Sequence, residues 1–144
     1  MRHGLLYFSV FWLAACASTP SRAPSFAGAD QVMNAVDACR KDAPLAASSF
    51  CASAKPGYQD CRADSASNSV EFCIAAEAGY KDCRQDYANS SATVCLHAKS
   101  GFADCRRDYL NFGVNTCLKA DAEFQSCRTK KTAADCLSMT VGER

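Results

Sequence analysis

Apolar positions recur with helical spacing in several short segments of the chain. Tyr80, Cys83 and Tyr87 stand at i, i+3 and i+7, and Phe102 and Cys105 begin the same pattern 22 residues later. Residues with this spacing share one face of a helix, whereas the strict alternation that a half-buried strand requires is absent. The pattern therefore predicts short amphipathic helices.

A second short apolar face precedes these helices. Val70, Cys73 and Ile74 form one such face, and Asn68 and Glu71 stand at the spacing of a capping box that would start a helix there. We therefore expect two short helices in each repeated segment, each carrying one cysteine.

Glycines separate the predicted helices. Gly79 followed by Tyr80 is typical of a helix C-terminus, in which a left-handed glycine is followed by a hydrophobic contact. Pro56 precedes the equivalent Gly57, and a proline there would break a continuous helix. We expect the chain to turn at these glycines.

The cysteines form a regular internal repeat. Eleven and then nine residues separate them alternately, until a last gap of eight, and they stand at positions 39, 51, 61, 73, 83, 95, 105, 117, 127 and 136. The first cysteine of each unit begins a similar motif: CRKD, CRAD, CRQD, CRRD and, altered, CRTK. The predicted fold is all-α, with short helical hairpins in about 4.5 tandem 22-residue repeats over residues 30–141. We expect disulfides to staple these hairpins into an α-solenoid-like array.

Disulfides are expected to carry much of the stability. From residue 30 onward only 23 of 115 residues are Val, Ile, Leu, Met, Phe or Tyr, and helices this short do not persist alone in water. A bridge across a loop of about 12 residues contributes about 2–3 kcal/mol in the chain-entropy treatment. Five bridges would therefore rival the net stability of a whole domain, about 5–15 kcal/mol.

Spacing alone leaves the disulfide connectivity open. We favour sequential bridges that each tie two consecutive helices: Cys39–Cys51, Cys61–Cys73, Cys83–Cys95, Cys105–Cys117 and Cys127–Cys136. The opposite phasing would join 51–61, 73–83, 95–105 and 117–127, and would leave residues 39 and 136 as an end-to-end pair. The nine-residue gap also resembles that of the eukaryotic twin Cys-x9-Cys helical hairpins, and this resemblance implies a nested scheme.

The N-terminus is typical of an export signal. Arg2 and His3 are followed by an apolar run over residues 5–15, and its eleven residues fall short of the ~20 that a membrane-spanning helix needs. We assign residues 1–15 to a signal peptide. Residues 16–29 are rich in Ala, Ser and Pro, so they are expected to form a flexible tether ahead of the repeat domain.

The end of this apolar run resembles the lipobox of bacterial lipoproteins, through Leu13, Ala14, Ala15 and Cys16. The resemblance implies that Cys16 becomes the mature N-terminus and carries diacylglycerol and a further acyl chain such as palmitate. Together these acyl chains would give stable membrane anchoring, because a single chain binds only marginally. In Gram-negative members, a residue other than Asp after the cysteine implies outer-membrane sorting, and here that residue is Ala17. Residues 15–17 also read as an A-x-A site, which would discard Cys16 and release a soluble periplasmic or secreted protein.

The cysteine count and the charge agree with export. Eleven cysteines minus Cys16 leave ten that can all pair, as is usual only in an oxidising compartment. Without Arg2 the 16 basic residues become 15, equal to the 15 acidic residues, and no block of like charge remains. A nucleic-acid partner is therefore not expected.

No catalytic constellation is visible. Once the signal is removed, His97 is the only histidine, and the units carry unrelated residues at its equivalent positions. The chain has no Gly-rich phosphate loop, nucleophile-elbow motif or Cys-x-x-Cys. We expect neither an enzyme nor a bound cofactor.

Pairs of aspartates recur at i, i+4, where like charges on one helix repel. The first could cap its helix and the second could lie in the first turn, while the adjacent arginine could meet an aspartate of the neighbouring unit. The alternative is a divalent-cation site built from these carboxylates. The residues concerned are Asp60, Asp64, Asp82, Asp86, Asp104 and Asp108, with Arg62, Arg84 and Arg106 as the arginines. Zinc or copper on the cysteines is not expected, because no two lie at structural-zinc spacing.

Aromatic residues mark one further position in the repeat, which we assign to the core: Tyr58, Tyr80, Phe102 and Phe124. Residues 109–114, YLNFGV, form the most apolar stretch of the mature chain, where the other units have small polar residues. We assign a candidate partner surface to this stretch, at Tyr109, Leu110, Phe112 and Val114.

These features predict a lipid-anchored protein of the cell envelope. It would be held in the outer membrane through Cys16, facing the periplasm or the surface, and its repeat domain would act as a protein-binding or structural module. The partner would be another envelope or host protein. The competing hypothesis is a protein that binds divalent cations through the aspartate pairs.

Overall fold

The computed structural model describes residues 27–86, 91–108 and 113–139. Within these residues the chain forms ten α-helices and no strand, so the predicted all-α class is confirmed. The helices are α1 (Ala27–Asp42), α2 (Ser48–Cys51), α3 (Tyr58–Asp64), α4 (Val70–Cys73), α5 (Tyr80–Asp86), α6 (Ala92–Cys95), α7 (Phe102–Asp108), α8 (Val114–Cys117), α9 (Phe124–Arg128) and α10 (Ala133–Ser138). None of them is long and apolar enough to cross a membrane.

Each of the first four repeat units consists of a longer helix, a short helix and a six-residue connector that leads to the next unit. In the last unit α9, with five residues, takes the place of the longer helix, and α10, with six, that of the short helix. The longer helices of successive units pack side by side, α1 on α3, α3 on α5, α5 on α7 and α7 on α9. In the first unit the C-terminal part of α1 serves as the longer helix. The connectors cover residues 52–57, 74–79, 96–101 and 118–123.

Disulfides join the two helices of each unit. The sequential connectivity predicted for the first four units is confirmed, with Cys39–Cys51, Cys61–Cys73, Cys83–Cys95 and Cys105–Cys117, and Cys127 bonds to Cys136 in the last. All these cysteines are buried except Cys127, which is half-buried. Because helices of four to seven residues cannot persist alone, each covalent link holds a pair that would otherwise separate.

The core is a column of small and aromatic side chains that repeats with the units. Its aromatic members are fully buried, as predicted, and each lies at the start of a longer helix: Tyr58, Tyr80, Phe102 and Phe124. Alanines at the third residue of each connector fill the remaining space and are at most 3% exposed: Ala54, Ala76, Ala98 and Ala120. The small alanines let successive units approach closely.

Two local predictions about helix ends are wrong. Helix α4 is capped by Ser69, whose hydroxyl accepts from the Phe72 N–H at 3.1 Å. Asn68 instead donates its side-chain amide to the Cys61 carbonyl at 3.1 Å, and therefore belongs to the turn that closes the preceding helix. Gly79 precedes helix α5 rather than ending a helix, and no glycine among the described residues has a positive φ.

The N-terminal assignments lie mostly outside the described residues. This applies to the signal peptide, to Cys16 and to most of the predicted tether. Helix α1 begins at Ala27, so it includes the last three residues of the segment assigned to the tether.

Candidate interaction surface

An arginine–aspartate ladder runs along the longer helices, as the sequence predicted. In each step the arginine Nε contacts the Oδ2 of the aspartate that ends the longer helix of the preceding unit, over 2.5–3.1 Å. The pairs are Arg62–Asp42, Arg84–Asp64, Arg106–Asp86 and Arg128–Asp108. The side chains of these pairs are 16–36% exposed, so the ladder lies at the rim of the core. There it joins each unit to the next.

The roles predicted within each aspartate pair are wrong. Asp60 is the third residue of α3, and Gly57 occupies the N-cap position without a side-chain hydrogen bond. Asp64 is the last residue of α3, where the helix dipole disfavours an anion. Arg84 and the hydroxyl of Tyr80 offset that unfavourable position, because both donate to Asp64 Oδ2, each at 2.9 Å.

Two tyrosines add a buried hydroxyl to the ladder. Tyr58 donates to Asp42 Oδ2 at 2.8 Å, as Tyr80 does to Asp64 in the next unit. The hydrogen bond from Tyr58 is the main cause that lowers the pKa of Asp42, with Arg62 contributing further. Burial, and then the neighbouring aspartate, raise the pKa of both tyrosines to about 12.

We expect Tyr58 and Tyr80 to lose their protons only in strong alkali. Their pKa is higher in the folded chain than the usual value near 10, so the fold favours the protonated hydroxyl. The stabilisation is complete below pH 10 and is lost as the pH rises to about 12; a shift of two pKa units corresponds to about 3 kcal/mol per tyrosine. Titration of phenolate absorbance measures this.

The control is the double variant Y58F/Y80F, which reproduces the phenylalanines that the later units carry at Phe102 and Phe124. Its phenolate titration should lack the component that appears above pH 11 in the unmodified protein. Titration of both buried tyrosines near pH 10 by a fully folded chain would contradict the prediction.

Backbone hydrogen bonds link each connector to the next in one direction. The fourth and sixth residues of one connector donate to the first and third carbonyls of the following one. The sixth residue is a glycine in the first three connectors, and its N–H bonds an alanine carbonyl: Gly57 to Ala76 at 2.9 Å, Gly79 to Ala98 at 2.8 Å and Gly101 to Ala120 at 2.9 Å. The fourth residues donate similarly, Lys55 to Ile74, Glu77 to Leu96 and Lys99 to Leu118, at 2.9–3.1 Å.

These glycines are required by the closeness of the next connector, not by an unusual backbone angle. Gly57 has φ −80°, which any residue can adopt. A Cβ on Gly79 would lie 2.2 Å from the Lys99 carbonyl oxygen, and a Cβ on Gly101 would lie 2.0 Å from the Asp121 carbonyl oxygen. The prediction of a left-handed glycine is therefore wrong, and the 22-residue recurrence of Gly-aromatic reflects packing between units.

The fourth connector position alternates in charge along the chain: Lys55, Glu77, Lys99 and Asp121. The ammonium of Lys55 contacts the Glu77 carboxylate at 2.5 Å, across the boundary between the first two connectors. Each connector thus presents a charge opposite to that of its neighbour.

The candidate cation ligands are not gathered into one site. The ladder occupies the second aspartate of each pair, and Asp104 contacts Arg107 one turn away at 3.3 Å. Across the described ranges, no three His, Cys, Asp or Glu side chains lie close enough together to hold a metal ion. His97 is exposed, next to the end of α6.

The candidate partner surface at 109–114 is described only in part. Tyr109, Leu110 and Phe112 lie outside the described residues. Val114 is the first residue of α8, is half-buried and packs against the core column.

The sequence analysis did not predict a surface depression that the last unit contains. A shallow depression of about 660 Å³ lies in the last unit, between α9 and the end of α10. Arg128, Lys130 and Lys131 give it a basic rim, but the two lysines are exposed, and Arg128 is bonded to Asp108 and to the Lys131 carbonyl. The two adjacent lysines in the altered last repeat were the one sequence feature that could have indicated it.

Comparison of the chain with protein-family models, with curated proteins and with solved structures finds no match.

Proposed function

We propose that this is a lipid-anchored extracytoplasmic protein whose disulfide-linked repeats act as a protein-binding or structural module. The observation that carries the proposal is the use of the cysteines. Five disulfides use ten of the eleven, and the one left over is Cys16, the residue that the lipobox would lipidate.

Export supports that proposal on physical grounds. Nine of the ten bonded cysteines are buried, in a core whose other buried residues are six alanines, Leu96 and four aromatic residues. Such a core needs covalent links, and these form and persist in an oxidising compartment such as the bacterial periplasm. The apolar run at residues 5–15 supplies the means of reaching that compartment.

A role in binding or in structure fits the arrangement of the polar groups. The arginines and the second aspartates form ion pairs that connect one unit to the next. Stacked repeats expose long surfaces and two distinct ends, and such surfaces are how repeat proteins engage partners. The outer membrane is the proposed location, with lipid on Cys16 as the anchor.

The anchor is tested by Cys16→Ser in a Gram-negative host. We expect the unmodified chain to begin at a lipidated Cys16 and to partition into detergent, and the variant to lose both the lipid and lipoprotein processing. Mass spectrometry of the N-terminal peptide and detergent phase partitioning measure these outcomes. Globomycin, which blocks lipoprotein signal peptidase, should have the same effect on processing of the unmodified chain.

Ala17→Asp is the matched control, because it keeps the lipidated cysteine and changes only the sorting residue. We expect this variant to remain lipidated and to move from the outer- to the inner-membrane fraction. If instead the unmodified chain begins at Ser18 and stays soluble without detergent, the A-x-A reading is correct and the anchor proposal is wrong.

A further inference from the structure

The outer face of α9, on the side away from α7, lacks the cover that the other units have. Helix α9 packs on α7 and on its own short helix α10, and the described residues contain no further unit beyond it. Cys127 is half-buried there. The cysteines at the same position of the three preceding units have no exposed surface, because the following unit covers them: Cys61, Cys83 and Cys105.

A hollow of about 310 Å³ marks this uncovered face, with Cys127 in its wall. It is also lined by three exposed residues of the last unit: Ser126, Thr129 and Lys130. The equivalent positions two units earlier, 82, 85 and 86, line the groove between α5 and α7, opposite Phe102 and Arg106 of α7. The hollow therefore corresponds to the place where the next helix of the stack would lie.

Lys130 reverses the charge of the arginine–aspartate ladder at this face. It stands 22 residues after Asp108, at the position where the preceding units have an aspartate that accepts an arginine of the next unit. That arginine follows the aromatic residue of its helix by four positions, as Arg84 follows Tyr80. An exposed lysine at this position pairs with an acidic residue of an added helix and repels an arginine.

A second copy of the chain does not match this face. Its first helix would present Arg40 at the ladder position, and Arg40 and Lys130 carry the same charge. Glu123 also stands where the first three connectors have glycine, and an added Cβ at those glycines would lie 2.0–2.2 Å from a backbone oxygen of the next connector. The side chain of Glu123 therefore holds a further connector away, whereas a single helix brings no connector with it.

We propose that the outer face of α9 binds a helix of a partner protein that carries an aromatic residue and, four positions later, an acidic residue. The aromatic side chain enters the hollow beside Cys127, and the carboxylate pairs with Lys130. The helix continues the packing that already joins the units of this chain, and it uses a common mode of recognition in which a helix lies in a groove. This inference rests on the protein-binding part of the proposed function and not on the lipid anchor.

The size of the hollow favours a side chain of a partner over a free small molecule. Pockets for small molecules have volumes of about 300–1,000 Å³, and the hollow lies at the lower limit of that range. Aromatic side chains that fill pockets of this kind are the usual anchors of protein interfaces.

The probe for this face is a helical peptide with the sequence of residues 79–87, in which Cys83 is replaced by alanine. A hydrocarbon staple joins positions 82 and 86, which face α7 within the chain and so lie away from the side of the helix that docks. The arginine peptide retains Arg84, and the R84E peptide has the proposed motif.

We expect the unmodified protein to bind the R84E peptide roughly tenfold more tightly than the arginine peptide, and the Lys130→Asp variant to reverse this preference. NMR titration of isotope-labelled protein measures the dissociation constants and should show shift changes at Ser126, Cys127 and Thr129. Lys130 is exposed, so K130D should keep its disulfides and its helix content. An R84E peptide that also carries Y80A is the control for the hollow and should not bind.

Failure of both peptides to bind would overturn the proposal, and so would a preference that K130D leaves unchanged or shift changes confined to other residues. NMR contacts between residues 140–144 and the hollow that persist when the peptide is added would assign the face to that segment and overturn it too. The experiment needs neither the lipid nor a natural partner. A negative result therefore rules out this surface and leaves binding through the rest of the stack open, whereas Cys16→Ser tests the anchor.

Discussion

Gly79→Ala is expected to destabilise the protein by about 3–5 kcal/mol, although it adds a single methyl group. The new Cβ would lie 2.2 Å from the Lys99 oxygen and 2.8 Å from the Ala98 oxygen, and both belong to the backbone. The clash is relieved only if two connectors separate, which lengthens the bonds from Gly79 to Ala98 and from Glu77 to Leu96. Each buried backbone group left without a partner costs about 1–3 kcal/mol. Denaturant unfolding under non-reducing conditions measures the loss.

Gly28→Ala is the control for this prediction. Nothing lies within 4 Å of a Cβ at Gly28, which is exposed near the start of α1. Alanine is a better helix former, so we expect stability to be unchanged or to rise by up to about 1 kcal/mol. Equal effects of G28A and G79A on the unfolding free energy would show that the close approach of the connectors does not limit stability.

Reduction of the disulfides is expected to have the largest effect of all. Bridges that span 12 residues contribute about 2–3 kcal/mol each, so the five together contribute about 10–15 kcal/mol, which is comparable to the 5–15 kcal/mol that holds a typical domain folded. In a reducing agent at neutral pH, without denaturant, the circular dichroism of the helices should therefore fall and the cooperative unfolding transition should disappear.

The order of reduction is a sharper form of the same prediction. Cys127 is half-buried, whereas the cysteines of the other four bridges are at most 1% exposed. We therefore expect limited reduction, followed by alkylation and peptide mapping, to label Cys127 and Cys136 first. A protein that keeps its helix content and its transition with ten free thiols would contradict the role assigned to the disulfides.

Most of the fold could be predicted from the sequence, because the repeat makes each local signal appear several times. The cysteine spacing predicted the units, and the sequential bridges that we favoured among the possible schemes are those that form, each joining helices that are neighbours in the chain. The aromatic residue that begins each longer helix was assigned correctly to the core on its recurrence alone. The link from Arg84 to the preceding unit also followed from the repeat, because a charge that recurs with the period meets its counterpart one unit away.

Glycine and aspartate were harder to interpret, because their usual roles are local ones. Gly79 was interpreted as a helix end, yet its constraint is a backbone oxygen 20 residues later in the chain. Asp64 was assigned to the first turn of a helix, but it ends α3 and is held by groups from the following unit. Rules for caps and turns describe neighbours in the chain, and they hold no information about contacts between units.

The sequence by itself determined the helical class, the repeat period and the position of the core aromatics, and it favoured sequential cysteine pairing without deciding it. Each of these depends on residues that lie within about one helical turn of each other or recur at a fixed interval. Only the tertiary structure decided which cysteines pair, that the glycines are contact points between connectors, and that the aspartate ending each longer helix is held by the following unit. The reason is physical. The distance between the backbones of two connectors is set by how the units stack, so it cannot be inferred from the residues of a single unit.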